Sequence, residues 1–466
     1  MANYLFKLSK AILLRMSRSW QSRSKPVNLG LWDLEINSIG HLSVFGIDTV
    51  KLVSEFGSPL LVVNKRRLIN DAEELNKAFK KAPEGSKILY SYKTNCIPGI
   101  LKPLHEVGIG AEVISPYELW VAQQLGVPSD MIVYNGVDKS DASLESAIRL
   151  GILSINIDHV EEIDRICSIA ARLDRKANVG VRLGLSSHSQ FGLDIESGEA
   201  LEACRTIKGL SKHLNFQCIQ FHVNSNVKEV RPYLVLATKA LEFMRDLKET
   251  AGLTIPYLDI GGGFGVPTTK NMNGIEYGTY RVFGVLPKPP RPEDWQPVSE
   301  FMHELICSIE ETCRRMHLAV PRLIIEPGRL ITSRAEFLLA SVRTIKRRTN
   351  GPLFAITDAG RLSIAFPCDF EYHEAFVAGR PNARMDTFYN VMGRVCTSSD
   401  WMFKNRLLPE LRTGDVLAVM DAGAYFSSYS SNFAFPRPAI ALIDNGKATV
   451  IRDAETFDHL TALDTY

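Results

Sequence analysis

The chain has 466 residues, 45% apolar and 23% charged, with a formal net charge of +2. That length leaves room for about two to four globular domains, the composition is that of an ordinary folded protein, and the near-neutral charge gives no electrostatic case for a nucleic-acid partner. The eight cysteines (Cys96, Cys167, Cys204, Cys218, Cys307, Cys313, Cys368 and Cys396) include no CxxC pair and no cluster with His at metal-ligand spacing, so no metal centre is expected, and scattered thiols without a secretory leader suit a cytoplasmic protein.

The N-terminus is basic. Lys7, Lys10, Arg15, Arg18, Arg23 and Lys25 precede the first acid, Asp33, and Tyr4, Leu5, Phe6, Ile12, Leu13, Leu14 and Met16 are interleaved with them. This pattern suits an amphipathic helix of the kind that lies on a membrane or partner surface, and it also has the character of a transit peptide. The plainer expectation is an extension over 1–30 that packs or stays mobile. No run of ~18 apolar residues is present, so no membrane span is expected.

Residues 31–64 hold short strand-like pieces, HLSVFG and LLVVN. From 65 to 330, β-rich runs alternate with stretches of helical period. The runs are Ile88–Lys93, Gly110–Ser115, Met131–Gly136, Ser154–Asp158, Asn178–Gly184, Phe216–Val223, Tyr257–Gly263 and Arg322–Pro327. Helical stretches include Pro116–Leu125, Ala142–Leu150, His159–Leu173 and Val230–Ala251. Parallel strands need crossovers, and eight of them predict a (β/α)8 barrel. The Pro- and Gly-rich stretch Pro267–Pro297 reads as a long excursion from that barrel. Beyond 330 the runs Glu336–Lys346, Leu353–Asp358, Asp415–Met420 and Ala439–Ile443 predict a mostly antiparallel β domain over 331–466, which the strands of 31–64 join.

Residues able to do chemistry fall at the ends of the barrel strands, where such barrels carry their sites. They are Lys93, Glu112, Asn135, Arg182, His222, the glycines of DIGGGFG, and Glu326 in EPGR. A partly desolvated Lys93 favours amine chemistry. Gly261, Gly262 and Gly263 let backbone N–H groups approach a phosphate. Arg329 offers a bidentate grip on phosphate or carboxylate. His222 can stack on a planar ring, Ser225 can donate to phosphate, Cys396 can donate a proton, and Tyr425 can reach a phosphate. Singly, each has an ordinary reading: a solvated lysine, a tight turn, a surface ion pair, a core histidine, a turn serine, a small buried thiol, a packing ring.

Taken in order, the blocks SPLLVVN, YSYKTN, GAEVISPYEL, IVYNGVDK, SQFGLD, FHVNSN, DIGGGFG, EPGR, DAG, GRVCTSSD and GAY resemble the fold-type III pyridoxal 5′-phosphate (PLP) decarboxylases, the group that contains diaminopimelate and ornithine decarboxylases. The resemblance implies a PLP-binding (β/α)8 barrel followed by a β domain, as in alanine racemase-like proteins, and a homodimer with active sites shared between subunits. It implies that Lys93 carries PLP as a Schiff base, that Glu326 pairs with the pyridine nitrogen and that His222 stacks on the ring. Glu112 and Arg182 match supporting residues. Ser225, Gly261, Gly262, Gly263, Arg329 and Tyr425 match the phosphate and substrate-carboxylate region. Cys396 matches a catalytic cysteine supplied by the other subunit.

Two departures bear on the substrate. Diaminopimelate decarboxylases usually carry Arg-Pro after the DAG block, to grip the substrate's distal carboxylate; here the pair is Phe366-Pro367. The acid expected after the catalytic cysteine is Thr397. Asp369 is a nearby candidate to receive a cationic side chain. The expectation is a decarboxylase acting on the α-carboxylate of an amino acid or amino-acid-derived intermediate, modified or carrier-protein-bound, other than ordinary diaminopimelate. The alternatives are an amino-acid racemase on the same fold and a non-catalytic regulatory homologue.

Overall fold

The structure is a computed structural model that describes residues 2–21, 28–185, 189–349 and 351–465. Eight parallel strands form the barrel: β1 (Lys87–Ser91), β2 (Gly110–Val113), β3 (Ile132–Tyr134), β4 (Ser154–Ile157), β5 (Ala177–Gly184), β6 (Leu214–Gln220), β7 (Tyr257–Asp259) and β8 (Arg322–Ile325). They pair in sequence order, β8 returns to β1, and β4 pairs with β5, so the sheet closes. β2, β3 and β4 are buried throughout, as strands covered on both faces must be. The intervening helices are bounded by local chemistry. Ser115 caps Pro116–Gln124 by accepting from the Glu118 N–H, with Pro116 in the first turn, where its missing donor costs nothing. Gly151 and Gly252 end their helices in the left-handed conformation.

The chain divides into two units, one of Ile69–Gly265 with Trp295–Leu330 and the other of Met1–Leu68, Val266–Asp294 and Ile331–Tyr466. The excursion therefore belongs with the β unit, not with the barrel. Its strand Lys270–Asn271 pairs antiparallel with Glu371–Tyr372. Its helix Gly274–Phe283 begins with a capping box between Asn273 and Glu276 and buries Tyr280 edge-on to Trp401 at 5.3 Å.

In the β unit, Glu336–Lys346 is the central strand. It pairs antiparallel with Leu60–Asn64, Leu353–Thr357 and Val416–Val419, and Leu60–Asn64 runs parallel to Ala439–Asp444. Leu60–Asn64 thus lies within this sheet, whereas the pieces at Glu35–Ile36, Leu42–Val44 and Ile47–Asp48 form a separate small sheet. One buried carboxylate ties distant segments together: Asp421 accepts from Trp32 Nε1 at 3.0 Å, Thr268 Oγ1 at 2.6 Å and Ser333 Oγ at 3.1 Å.

The basic N-terminus is helical over Ala2–Gln21; Arg23 and Lys25 lie outside the described residues. The end of that helix packs on the β unit. The Gln21 amide donates to the Asn405 carbonyl at 3.0 Å and accepts from the Leu407 N–H at 2.9 Å, engaging a strand backbone as a neighbouring strand would. Ile12 and Met16 remain exposed. Among the described residues no helix is long and apolar enough to cross a membrane.

Candidate functional site

The barrel mouth gathers carboxylates around one amine. Lys93 sits in a short turn, Tyr92–Thr94, directly after β1, with its Nζ 3.5 Å from Glu112 Oε2 and about a third of its side chain exposed. Glu112, from β2, is fully buried and accepts from Ser91 Oγ at 2.5 Å and Asn135 Nδ2 at 2.9 Å. Burial pushes the Glu112 carboxyl up, but Lys93, Ser91 and Asn135 outweigh it and hold the group below the ordinary value. Glu326, just past β8, is also buried and accepts from the same Asn135 Nδ2 at 2.6 Å. Burial and the Glu112 charge push Glu326 up to about 7. Behind it, Asp259 at the end of β7 is pushed well above the carboxylate range by burial and by the nearby Glu326 charge.

The glycine run packs tightly against its neighbours. β-Carbons at Gly261, Gly262 and Gly263 would collide with the carbonyl oxygens of Phe221, Glu326 and Asn224, and Gly263 has φ +91°. The Gly261 N–H donates to Asp259 Oδ1 at 2.9 Å and the Gly262 N–H to His222 Nδ1 at 3.3 Å. These glycines therefore serve loop packing at least as much as the phosphate approach expected of them. Burial, Lys93 and Arg182 push His222 down to about 4, so its ring is neutral at physiological pH and Nδ1 is the acceptor. Arg182, from β5, lies 3.5 Å from Asp158 Oδ1 and over the Phe191 ring. Arg329 is buried immediately after β8, and Ser225 is half-buried after β6.

The β unit brings Phe366, Asp369, Thr397 and Tyr425 into one corner, with Cys396 next to Thr397 in the chain. Phe366 packs on Phe370 and Tyr429, and Tyr429 meets Tyr425 at 5.9 Å. Arg361 ties the corner together: it donates to Asp369 Oδ2 at 2.7 Å and to the Ser399 carbonyl at 2.8 Å. Arg281, from the excursion, lies 3.7 Å from Asp369 Oδ1. Asp369 is thus buried between two arginines, which leaves it ill-placed to receive the cationic substrate group expected from sequence. Cys396 and Thr397 are exposed, and Thr397 Oγ1 lies 3.1 Å from Ser399 Oγ.

Residues 67–333 match the family described as pyridoxal-dependent decarboxylase, pyridoxal binding domain. The chain belongs to the pyridoxal-dependent decarboxylase family. It is 31% identical over 442 residues to a diaminopimelate decarboxylase of Methanothermobacter thermautotrophicus, covering 92% of this chain and 96% of the relative. Among solved structures, it is similar to diaminopimelate decarboxylase from M. jannaschii in complex with L-lysine (TM-score 0.81, 28% identity, 93% and 98% of the two chains). It is likewise similar to the Helicobacter pylori enzyme complexed with L-lysine (TM-score 0.75, 25% identity, 89% and 98%). The protein is a PLP-dependent carboxy-lyase acting on an amino acid.

The barrel mouth contains polar contacts that the sequence did not announce. Asn135 stood out only as a strand-end residue; its bridging of two carboxylates, the Asn156 and Ser154 behind it and the buried Asp259 were not foreseen. Their signal is polar residues on a barrel strand interior, where apolar side chains are the rule. Arg361 and Arg281, partners of Asp369, were missed because one sits in a turn and the other in the excursion.

Proposed function

We propose that this decarboxylase removes the α-carboxylate from an amino acid whose far end carries no free carboxylate, a modified or carrier-protein-bound intermediate rather than ordinary diaminopimelate. The observation that carries the reading is the corner around Phe366. An aromatic ring stands where the resemblance expects a carboxylate-gripping arginine, and Arg361, whose guanidinium lies 6.0 Å from that ring, is already committed to Asp369 and Ser399. Thr397 supplies a hydroxyl where an acid is expected. A site without a counter-charge discriminates against a charged substrate group by several orders of magnitude.

The barrel residues fit PLP. Lys93 supplies an accessible primary amine for its aldehyde, Glu326 a buried carboxylate for its ring nitrogen, and His222 a neutral flat ring for its face. Arg329, Ser225 and the glycine loop would hold its phosphate and the substrate carboxylate, as the resemblance implies. Bound PLP supplies an electron sink for the carbanion left when CO2 departs. Glu112 holds the Lys93 amine by charge and orients it at the strand end. Lys93, or Cys396 from a second copy in a two-fold homodimer, returns the proton to the substrate carbon.

The test is CO2 release from a panel containing both enantiomers of lysine, ornithine and glutamate, meso-diaminopimelate, and side-chain-amidated and carrier-bound forms. A substrate with a neutral far end should exceed meso-diaminopimelate in kcat/KM by at least about a hundredfold. If meso-diaminopimelate ranks first, the substrate named for the relatives is the substrate here as well. Chiral inversion without CO2 would instead indicate a racemase.

A further inference from the structure

The geometry points to Asn135 as the positioning residue that divides charge between Glu112 and Glu326, with its own orientation dictated by a polar relay through Asn156 to Ser154. The inference rests on the reading of Glu326 as the group that faces the ring nitrogen of PLP.

The relay joins five side chains on or just past β2, β3, β4 and β8. Asn135 Nδ2 donates to Glu112 Oε1 at 2.9 Å and Glu326 Oε1 at 2.6 Å. Asn156 Nδ2 donates to Asn135 Oδ1 at 2.8 Å, and Ser154 Oγ donates to Asn156 Oδ1 at 2.7 Å. All these side chains are buried. The direction of each bond follows from chemistry. Ionised Glu112 can only accept, so Asn135 must turn its NH2 toward it. The Asn135 carbonyl then faces Asn156, which must present its own NH2. The Asn156 carbonyl faces Ser154, which must donate its O–H. Each amide has one workable orientation, and both N–H bonds of Asn135 are used.

The fold reserves space for this relay. A β-carbon at Gly180 on the neighbouring β5 would collide with Asn156 Oδ1 and crowd Ser154 Oγ. A glycine inside a barrel strand weakens it, and here it clears the relay.

The charged and titratable groups that act on Glu326 are Glu112, Lys93, Asp259 and Cys218, with His222 acting on Glu112. Glu112 raises the proton affinity of Glu326, while Lys93 and Asn135 lower it. Of these, Asn135 alone holds both acids through one group, so it keeps both carboxylates hydrogen-bonded as Glu326 gains or loses its proton.

The experiment is titration of the PLP-free protein with PLP at several pH values, reading the cofactor's fluorescence. When a cofactor with a protonated ring nitrogen binds, Glu326 must be ionised, so wild-type affinity should fall as pH drops through about 7. Asn135→Leu keeps similar bulk and removes both donors. Its break point should move up by at least about one pH unit, with PLP binding at neutral pH weakened by about tenfold, the scale of a lost charge-assisted hydrogen bond. Ser154→Ala, at the far end of the relay, should shift the profile in the same direction by less. A folded Asn135→Leu protein with the wild-type profile overturns the inference. If that variant does not fold, Ser154→Ala decides: an unshifted profile overturns the relay and a shifted one supports it. Failure of the wild-type protein to bind PLP at all would instead overturn the reading of the barrel as a cofactor site.

Discussion

The barrel mouth and the Phe366 corner handle buried acid in opposite ways. In the β unit several buried carboxylates are matched: Asp369 by Arg361 and Arg281, Asp421 by three neutral donors, and Glu374 by Arg406. In the barrel, Glu112, Glu326 and Asp259 converge with Lys93 as the nearby amine, and their proton affinities are driven apart. Matched charges hold a shape. Unmatched charges, kept from water, hold protons in readiness, which is the mark of a reactive site.

Altering Glu326 tests the comparison most severely. Glu326→Gln should bind PLP more weakly and, at saturating PLP, lower kcat by at least about a hundredfold, as expected for losing a preorganised electrostatic partner; near-normal kcat would assign the ring nitrogen another partner. In the β unit, Phe366→Arg restores an unmatched cation. It should raise kcat/KM for meso-diaminopimelate relative to the preferred substrate by about tenfold or more, and no change would mean that Phe366 does not face the substrate's far end.

The two regions are expected to work together across copies. Mixing Lys93→Ala with Cys396→Ala protein, each inactive alone, should give mixed dimers with one intact site and recover roughly a quarter of wild-type activity under two-fold symmetry. Verified mixed dimers that stay inactive would contradict shared sites.

The smallest effect is on stability. Glu326 titrates at about 7 in the folded protein against an ordinary 4.5, so the folded state holds an extra proton between those values. This contribution to PLP-free stability is full below the ordinary value and is lost as pH rises through about 7. Glu326→Gln removes the loss, so at about pH 8 its melting temperature should exceed that of wild type by roughly 2–4 °C. An unchanged melting temperature would place the Glu326 proton affinity near its ordinary value.

The strand ends were legible because apolar runs, helical spacing and turn residues agree along 65–330. Lys93, Glu112, His222 and Glu326 were legible because barrels place chemistry at those ends. The excursion was misassigned because its composition says loop but not which partner Tyr280 will bury against; Trp401 is more than a hundred residues away in the chain. The relay was hidden for a related reason. Glu112, Asn135 and Asn156 are each about one βα repeat apart, and only the barrel register brings their interior faces to the same height. Asp369 was legible as a charge but not as a matched one.

The most direct test of the central claim is to reduce the PLP-loaded protein with borohydride and map the labelled peptide. The label should appear on Lys93 alone, and Lys93→Ala should show neither label, nor visible cofactor absorbance, nor turnover. Label on another lysine, such as Lys139, which is buried and paired with Glu162 at 2.9 Å, or turnover surviving in Lys93→Ala, would contradict the assignment of the barrel mouth as the reactive site.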